Sequence, residues 1–221
     1  MRTFDTPTPI STVLDVPAGR VRFIAADRSD TAVEVLPADA SKSRDVKVAE
    51  QTEVEYADGV LRIRSSVKNQ LFGSSGAVEV TVQLPAGSRV EATAPGAELR
   101  GVGRLGDVVF EGSAGSIKLD EAASARLTTQ AGDVSIGRLT GPAEISTAKG
   151  DIRIDEAVRG AVVLRTQAGD VSVGAAAGVS ASLDAGTSHG RIHNSLKNAD
   201  GVAALTIQAT TAHGDIAARS L

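Results

Sequence analysis

The sequence has no cysteine, no tryptophan and few other aromatic residues, with four Phe and one Tyr among 221 residues. Without cysteine the chain can form no disulfide and offers no thiolate ligand to a metal ion. A globular core normally draws much of its buried area from aromatic rings. The 42% of hydrophobic residues consists mainly of Ala, Val, Leu and Ile, which indicates a narrow core filled with small branched side chains.

The sequence also lacks an excess of one charge and a long apolar run. Its 23 basic and 27 acidic residues are interleaved and leave a net charge of −4, so nothing predicts a nucleic-acid or anionic-membrane interface. No stretch approaches the roughly 20 apolar residues of a membrane span. The start, Met1 to Pro7, has an acid and a proline where a signal peptide needs an apolar run. We expect a cytoplasmic protein without membrane insertion, and a surface location stays open.

What the sequence does contain is a repeat. A unit of Gly, any residue, aliphatic, polar and aliphatic recurs every 17 to 24 residues. A second alternating run follows about ten residues later, as in Ala143 to Ser146. Strict alternation predicts strands with one buried and one solvated face. The units begin at Gly115, Gly132, Gly150 and Gly169, with degenerate copies at Gly190 and Gly214.

One such repeat is too small to bury a face alone, so successive repeats are expected to stack about 4.8 Å apart. The sequence therefore predicts an all-β fold, a single-stranded β-solenoid (β-helix) over residues 90–221. Residues 1–89 are predicted to form less regular coils that cap the stack within one continuous domain, with a separate small β domain as the alternative. In that part we expect a hairpin turning at Asp58-Gly59 and polar loops at residues 38–50 and 65–75. The handedness and the number of sheets per coil stay open.

Alignment on the glycines gives columns of like residues. The glycines are predicted to occupy corners that need a positive φ. Threonine stands three residues before most of them, either as a ladder that satisfies backbone groups or as an ice-binding hydroxyl array. This threonine column comprises Thr93, Thr129, Thr147, Thr166, Thr187 and Thr211.

Acidic residues follow the glycines at Asp133, Asp151, Asp170 and Asp215. We interpret them as turn aspartates that cap backbone amides, with a cation site as the alternative. The glycine- and aspartate-dense repeat of calcium-binding solenoids is absent.

Histidines 189 and 213 share the column just before the glycine and should be neighbours. A zinc site can be sketched from His189, His213 and Asp215, but these residues lack a recognised ligand spacing. We predict no metal site and no cofactor.

Catalytic motifs are also missing. The sequence has no Gly-x-Ser-x-Gly elbow, no P-loop and no dinucleotide fingerprint after a strand. Solenoid enzymes that act on carbohydrates place carboxylates beside aromatic platforms for sugar rings, and this chain has few aromatic residues to supply them. We predict no catalytic residues and a protein that is not an enzyme.

The units of Thr-x-x-Gly-Asp-Ile/Val, preceded by the β-rich run Val80 to Gly87, resemble the bacterial "putative adhesin" family. That family is a β-strand-repeat domain of unknown function with a β-helix-like fold, and the resemblance covers about residues 10–218. It implies a noncatalytic repeat scaffold and supplies no catalytic residues.

We therefore predict an adhesin-like scaffold that presents an extended surface to a protein partner or to copies of itself. The alternatives are a carbohydrate-active solenoid enzyme and a metal-binding or ice-binding protein. The identity of any partner stays open.

Overall fold

The computed structural model describes residues 1–65, 76–198 and 201–221. Within these residues the chain has nineteen strands and one short helix, so the fold is all-β as predicted. Two compact units divide the chain, Met1–Gly115 and Ser116–Leu221, and each is described by itself. The predicted boundary between residues 89 and 90 stays a prediction.

The elements of the first unit are β1 Arg2–Asp5, β2 Ser11–Asp15, β3 Ala18–Ala26, β4 Asp30–Pro37, α1 Ser43–Glu50, β5 Thr52–Ala57, β6 Val60–Ser65, β7 Val78–Pro85, β8 Arg89–Thr93 and β9 Gly96–Glu111. Those of the second unit are β10 Ile117–Thr128, β11 Val134–Leu139, β12 Ala143–Ser146, β13 Ile152–Ala157, β14 Gly160–Arg165, β15 Val171–Ala175, β16 Ala181–His189, β17 Ile192–Ser195, β18 Leu205–His213 and β19 Ile216–Ser220.

In the second unit, strands of neighbouring repeats pair in parallel, residue beside residue. One series runs from β11 through β13 to β15 and places Val134, Ile152 and Val171 in one column. The other runs from β10 through β12 to β14 and aligns Ala143 with Val162. Each repeat thus contributes one strand to each series, at the positions where the sequence alternates.

The last repeat does not continue this stack in chain order. β18 pairs with β14 on one side and with β16 on the other, and β19 lies likewise between β15 and β17. The expectation that all repeats follow one another is therefore wrong at this end. Residues 205–221, hereafter the C-terminal segment, are inserted between repeats 160–175 and 181–195. In this position the backbone groups of β18 find partners on two sides, which a terminal position would not provide.

Aliphatic side chains fill the inward positions of the second unit. Val171 and Ile216 are at most 1% exposed, and each such side chain stabilises the fold by about 1.5–3 kcal/mol. The rows of buried aliphatic side chains end at repeat 181–195. There Ile192 is 45% exposed, and Asn194 lies beside Ala218 where an aliphatic residue would continue the row. This repeat therefore resembles the polar terminal repeats that cover stacked folds.

The corner glycines explain how coils can stack so closely. A Cβ atom at Gly169 would overlap the carbonyl oxygen of Gly150, and one at Gly214 would overlap that of Gly169. Any larger residue at these corners would therefore push two coils apart. The six glycines have φ values from +127° to +158°, a region that essentially only glycine adopts; they are Gly115, Gly132, Gly150, Gly169, Gly190 and Gly214.

The first unit combines parallel and antiparallel pairs. β2 lies between β6 and β8, and β3 between β7 and β9, all in parallel. β4 pairs antiparallel with β7 and β1 with β4. β5 and β6 form the predicted hairpin, and both Asp58 and Gly59 have a positive φ. An early part of the chain is thus inserted between strands that come later in the sequence.

The predicted loop at residues 38–50 is wrong in its second half, where α1 forms. Val48 and Asp45 are buried on one side of this helix, and Asp45 accepts a hydrogen bond from the Ala77 N–H at 3.0 Å. Lys42 at the N-cap makes no side-chain capping bond, so the start of the helix lacks the hydrogen bond that a capping residue would supply. Packing rather than local preference forms the helix. Of the loop predicted at 65–75, residues 66–75 lie outside the described residues.

The inward and outward positions of β13 and β15 can be tested by placing a charge on each face. Ile152→Asp or Val171→Asp should destabilise the protein by about 4 kcal/mol or more, because both side chains are fully buried. Arg153→Asp should cost at most about 1 kcal/mol, since it removes only an exposed ion pair with Asp155. Urea unfolding measures both, and equal losses on the two faces would contradict the assignment.

The corner contact can be tested with a matched pair of glycine substitutions. Gly169→Ala should destabilise the protein by at least about 3 kcal/mol, because it combines a forbidden φ with overlap of the Gly150 carbonyl. Gly186→Ala should change stability by no more than about 0.5 kcal/mol, since nothing lies within 4 Å of the added carbon. A Gly169→Ala protein with an unchanged urea midpoint would disprove the close approach.

Candidate binding surface

Stacked aspartates form a directional row after the corner glycines of the second unit. The backbone N–H of Asp151 donates to Oδ1 of Asp133 at 2.9 Å, and that of Asp170 donates to Oδ1 of Asp151 at 2.8 Å. Asp215 continues the row by donating to Asp170 at 2.7 Å. The row ends at Arg191, whose N–H donates to Oδ1 of Asp215 at 2.8 Å and whose guanidinium lies 3.4 Å from Oδ2.

Each of these carboxylates therefore accepts a backbone N–H of the neighbouring coil. Hydrogen bonds to a charged acceptor are strong, and they offset the repulsion expected between stacked carboxylates. Within the described part of the chain, no group of three or more His, Cys, Asp or Glu residues is arranged to hold a metal ion. These hydrogen bonds between neighbouring coils give the aspartate row a structural role.

The threonine column lies on the inner side of the corners. Thr166 donates its hydroxyl to the Gly150 carbonyl, and Thr211 donates to that of Gly169, both at 3.0 Å. Thr187 donates to the Gly214 carbonyl at 3.0 Å. These bonds join adjacent coils at the carbonyls that the glycines leave accessible.

The remaining threonines differ from one another. The Thr147 hydroxyl lies 3.3 Å from the Lys149 carbonyl and 3.5 Å from the Gly132 carbonyl. The Thr129 hydroxyl is buried with no hydrogen-bond partner among the described residues, and Thr93 is exposed on β8. Thr129, Thr147, Thr166 and Thr211 are at most 6% exposed. An ice-binding array needs exposed hydroxyls, which these four do not provide.

The histidine rings come together as the column predicts. His189 and His213 stack with ring centroids 4.7 Å apart and planes 2° from parallel, and both residues are exposed. His193 lies on β17 beside Ala217, in the other series of strands. Asp215, the third ligand of the zinc site sketched from the sequence, is hydrogen-bonded to Arg191. The structure thus pairs two histidines without assembling three ligands.

A shallow cavity of about 150 Å³ opens on the outer side of β14, β18 and β16, with room for about five waters. Leu164 contributes to its lining. We call the surface around it the β14–β18–β16 face and define it by Val163, Arg165, Asp184, Gln208 and Thr210.

Register places the members of this face in two rows. Gln208 stands between Val163 and Asp184, and Thr210 stands beside Arg165. Within the described residues the side chain of Asp184 has neither a hydrogen bond nor an ion pair, so its carboxylate is free to meet a ligand. Arg165 makes only a 3.4 Å contact with Glu144.

The face differs from the neighbouring polar surface, where charges satisfy one another. Glu144 lies 3.7 Å from Arg126 on the adjacent strand, and Arg138 pairs with Glu156 at 2.9 Å. On β18 and β16 no such ion pair is found among the described residues. Val163 is half-buried there, and the side chains of Gln208 and Asp184 on the next two strands have no partner among the described residues. The face combines an apolar centre with polar groups of both signs.

A second cavity, of about 380 Å³, lies in the first unit. Arg20 lies there between two carboxylates, at 3.0 Å from Glu79 and 3.8 Å from Glu98. The rest of its lining is glycine and alanine, so no aromatic ring is present for a sugar to stack on. Both carboxylates face the same guanidinium.

One titrating group near this cavity has a clear shift. Asp39 follows Ala38 of the cavity lining and is partly exposed in the turn before α1. The hydrogen bond from the Ser41 side chain, together with Lys42, lowers the pKa of Asp39 to about 2. All partners lie within three residues, so this shift marks a local turn and no binding group.

The alternation and the glycine spacing of the sequence do not predict the β14–β18–β16 face. The insertion of the C-terminal segment places Gln208 between Val163 and Asp184, whereas stacking in chain order would place Asp184 directly beside Val163. One signal was present: the longest glycine intervals, 21 and 24 residues, adjoin Gly190. Longer connections are what skipping a place in the stack requires.

Comparison with solved structures shows a shared fold. The chain is 13% identical to a "putative adhesin" from Bacteroides fragilis, with a TM-score of 0.58 over 98% of this chain and 95% of that chain. A "putative adhesin" from Parabacteroides distasonis gives 14% identity, a TM-score of 0.48 and coverages of 98% and 96%. A "putative lipid binding protein" from the same species is 13% identical, with a TM-score of 0.48 over 98% of this chain and 95% of that chain. No curated protein matches the sequence.

Across the described ranges, no helix has the length and apolar character needed to cross a membrane. The family model described as Toastrack DUF4097 matches residues 12–220. This match agrees with the resemblance to a bacterial adhesin-like family of unknown function that the glycine-aspartate repeats indicate. Because the match extends over nearly the whole sequence, the chain belongs to the Toastrack DUF4097 family.

Proposed function

We propose that this protein is a noncatalytic β-solenoid scaffold that binds another protein, or a second copy of itself, through its outer surface. The parallel strands of residues 116–221 support the solenoid part of the proposal, because each coil repeats the corner, the inner row and the outer row of its neighbour. Such stacks hold outer side chains at fixed spacings of about 4.8 Å. A rigid surface of this kind lowers the entropy that binding costs.

The observation that carries the proposal is the β14–β18–β16 face. Its centre is the half-buried Val163, and around it lie Arg165, Asp184, Gln208 and Thr210. Protein interfaces typically place apolar groups at the centre and polar groups at the rim. The side chains of Asp184 and Gln208 have no partner within the described residues, so a bound protein would not have to displace existing side-chain bonds.

Adhesion is one form of this binding and is part of the proposal. The fold neighbours with adhesin names share only the fold at their level of identity, and a fold hosts many functions. Adhesion is therefore proposed on the basis of the β14–β18–β16 face and not of the names.

A charge exchange on the face tests the proposal without altering net charge. Arg165→Glu with Asp184→Lys should lower capture of the bound protein from source-cell lysate about tenfold, equivalent to about 1.4 kcal/mol. Both side chains are exposed, so folding should be preserved, which circular dichroism and urea unfolding check. Quantitative mass spectrometry of the captured proteins and sedimentation equilibrium provide the binding readouts.

The matched control is Arg153→Glu with Asp155→Lys. This pair lies on the outer side of β13 as an ion pair at 2.6 Å, and the exchange keeps both the pair and the net charge. The control should capture the same proteins as the unaltered chain. The proposal fails if the face variant captures them equally well, or if the unaltered chain binds nothing and stays monomeric.

A further inference from the structure

Two histidine side chains meet where the C-terminal segment lies beside repeat 181–195. His213 at the end of β18 and His189 at the end of β16 are register partners on parallel strands, so both side chains leave the backbone on the same side. Their rings stack with centroids 4.7 Å apart and planes 2° from parallel. Two imidazoles are thus held side by side at the surface of the second unit.

Neither ring is engaged by another polar group of the protein. Both residues are exposed, and across the described residues neither imidazole has a hydrogen bond or an ion pair. A neutral imidazole has one donor nitrogen and one acceptor nitrogen, and its unprotonated nitrogen is a common metal ligand. Each ring of the pair therefore keeps a nitrogen for a ligand from solution.

The column that contains the two histidines places no cation directly beside them. Ala168 stands next to His213, and Lys149 stands next to Ala168. The ammonium-bearing residue of this column is therefore two strand spacings, about 9.6 Å, from His213 along the stack. The immediate neighbour is a methyl group, which neither repels a bound cation nor fills the space at the ring edges.

The charge of the adjacent aspartate row also favours a cation. Asp215 follows His213 by two residues, and Asp170 lies beside it in the row. Each of these carboxylates accepts one N–H through Oδ1 and keeps its negative charge. The guanidinium of Arg191 lies 3.4 Å from Oδ2 of Asp215, so its positive charge is offset there. The four aspartates of the row outnumber Arg191 and Lys149, and the corner is negative as a whole.

The separation of the two rings suits a shared ion after a small movement. Zinc binds imidazole nitrogen at about 2.0–2.1 Å in tetrahedral geometry, which places two such nitrogens about 3.4 Å apart. From the present 4.7 Å between ring centroids, the ligating edges have to approach by about 1.3 Å. The terminal torsion of histidine has a broad minimum, so exposed rings can tilt towards each other at little cost.

We infer that His189 and His213 together bind one divalent transition-metal ion of the zinc class, with water completing its coordination. Imidazole is a ligand that Zn²⁺ and Cu²⁺ favour, whereas Ca²⁺ and Mg²⁺ favour oxygen. This inference departs from the expectation of no metal site, which was drawn from ligand spacing along the chain. Here the two ligands come from different strands and are brought together by register.

The bound ion links repeat 181–195 to the C-terminal segment, because each of them contributes one ligand. β16 and β17 of this repeat pair with β18 and β19 of the segment, and the ion adds a cross-link at the corner between the two strand pairs. An ion that binds only the folded chain stabilises it. The site lies apart from the residues that define the β14–β18–β16 face, so the inference goes beyond the proposed scaffold function.

Calorimetric titration of the full chain with Zn²⁺, in the absence of a polyhistidine tag, tests the site. The unaltered chain should bind one equivalent. His189→Ala and His213→Ala should each lower the affinity at least about tenfold, because the second imidazole meets an ion that the first already holds. The matched control is His193→Ala. His193 is exposed on β17 beside Ala217, and its loss should leave the affinity unchanged.

Two further measurements keep the test decisive if a variant folds poorly. In the unaltered chain, NMR signals of the His189 and His213 rings should shift on addition of Zn²⁺, while those of His193 should not. Zn²⁺ should also raise the urea midpoint of the unaltered chain and of His193→Ala, and of neither other variant. The inference is overturned if Zn²⁺ does not bind, if His193→Ala weakens binding as much as His189→Ala, or if Ca²⁺ binds as tightly as Zn²⁺, which would assign the ion to the aspartate row.

Discussion

The contact between corners of neighbouring coils is the constraint on which the second unit depends. At Gly150, Gly169 and Gly214 the backbone of one coil lies against a carbonyl of the next, at a distance that leaves no room for a side chain. That approach brings threonine hydroxyls within reach of the same carbonyls and places each aspartate beside the next coil's N–H. Register, inner columns and outer rows follow from it, because a shift of one residue would turn every aliphatic side chain outward.

Chain order and spatial order differ in both units, and each difference has the same physical benefit. β2 and β3 have parallel partners on both sides in the first unit, as β18 and β19 do in the second. Inserted strands present no open edge, which limits uncontrolled pairing with other chains. The cost lies in folding, because such strands can pair fully only after both neighbours are in place, and contacts between distant residues slow folding.

Local patterns predicted the strands well because alternation is a property of a few consecutive residues. The run Ala143 to Ser146 is a strand with the predicted bounds, and Asp58-Gly59 turns a hairpin. Helix α1 was missed because it depends on burial of Val48 and Asp45, with no capping side-chain bond at its start. The insertion and the β14–β18–β16 face were missed for a related reason. Gln208 lies beside Val163 only because β18 is inserted next to β14, and a repeat pattern predicts which residues stack without predicting the order in which the copies stack.

The inserted segment also determines where the chain can tolerate a change in length. Between Gly132 and Gly169 each coil pairs with the coil before and the coil after it in the sequence, so a whole coil could be duplicated or deleted with every column kept intact. After Ala175, adding or deleting a coil would change the number of coils that the connections 176–180 and 196–204 must pass. Growth by duplication is thus confined to the middle of the second unit, and the last two repeats form a fixed closing module.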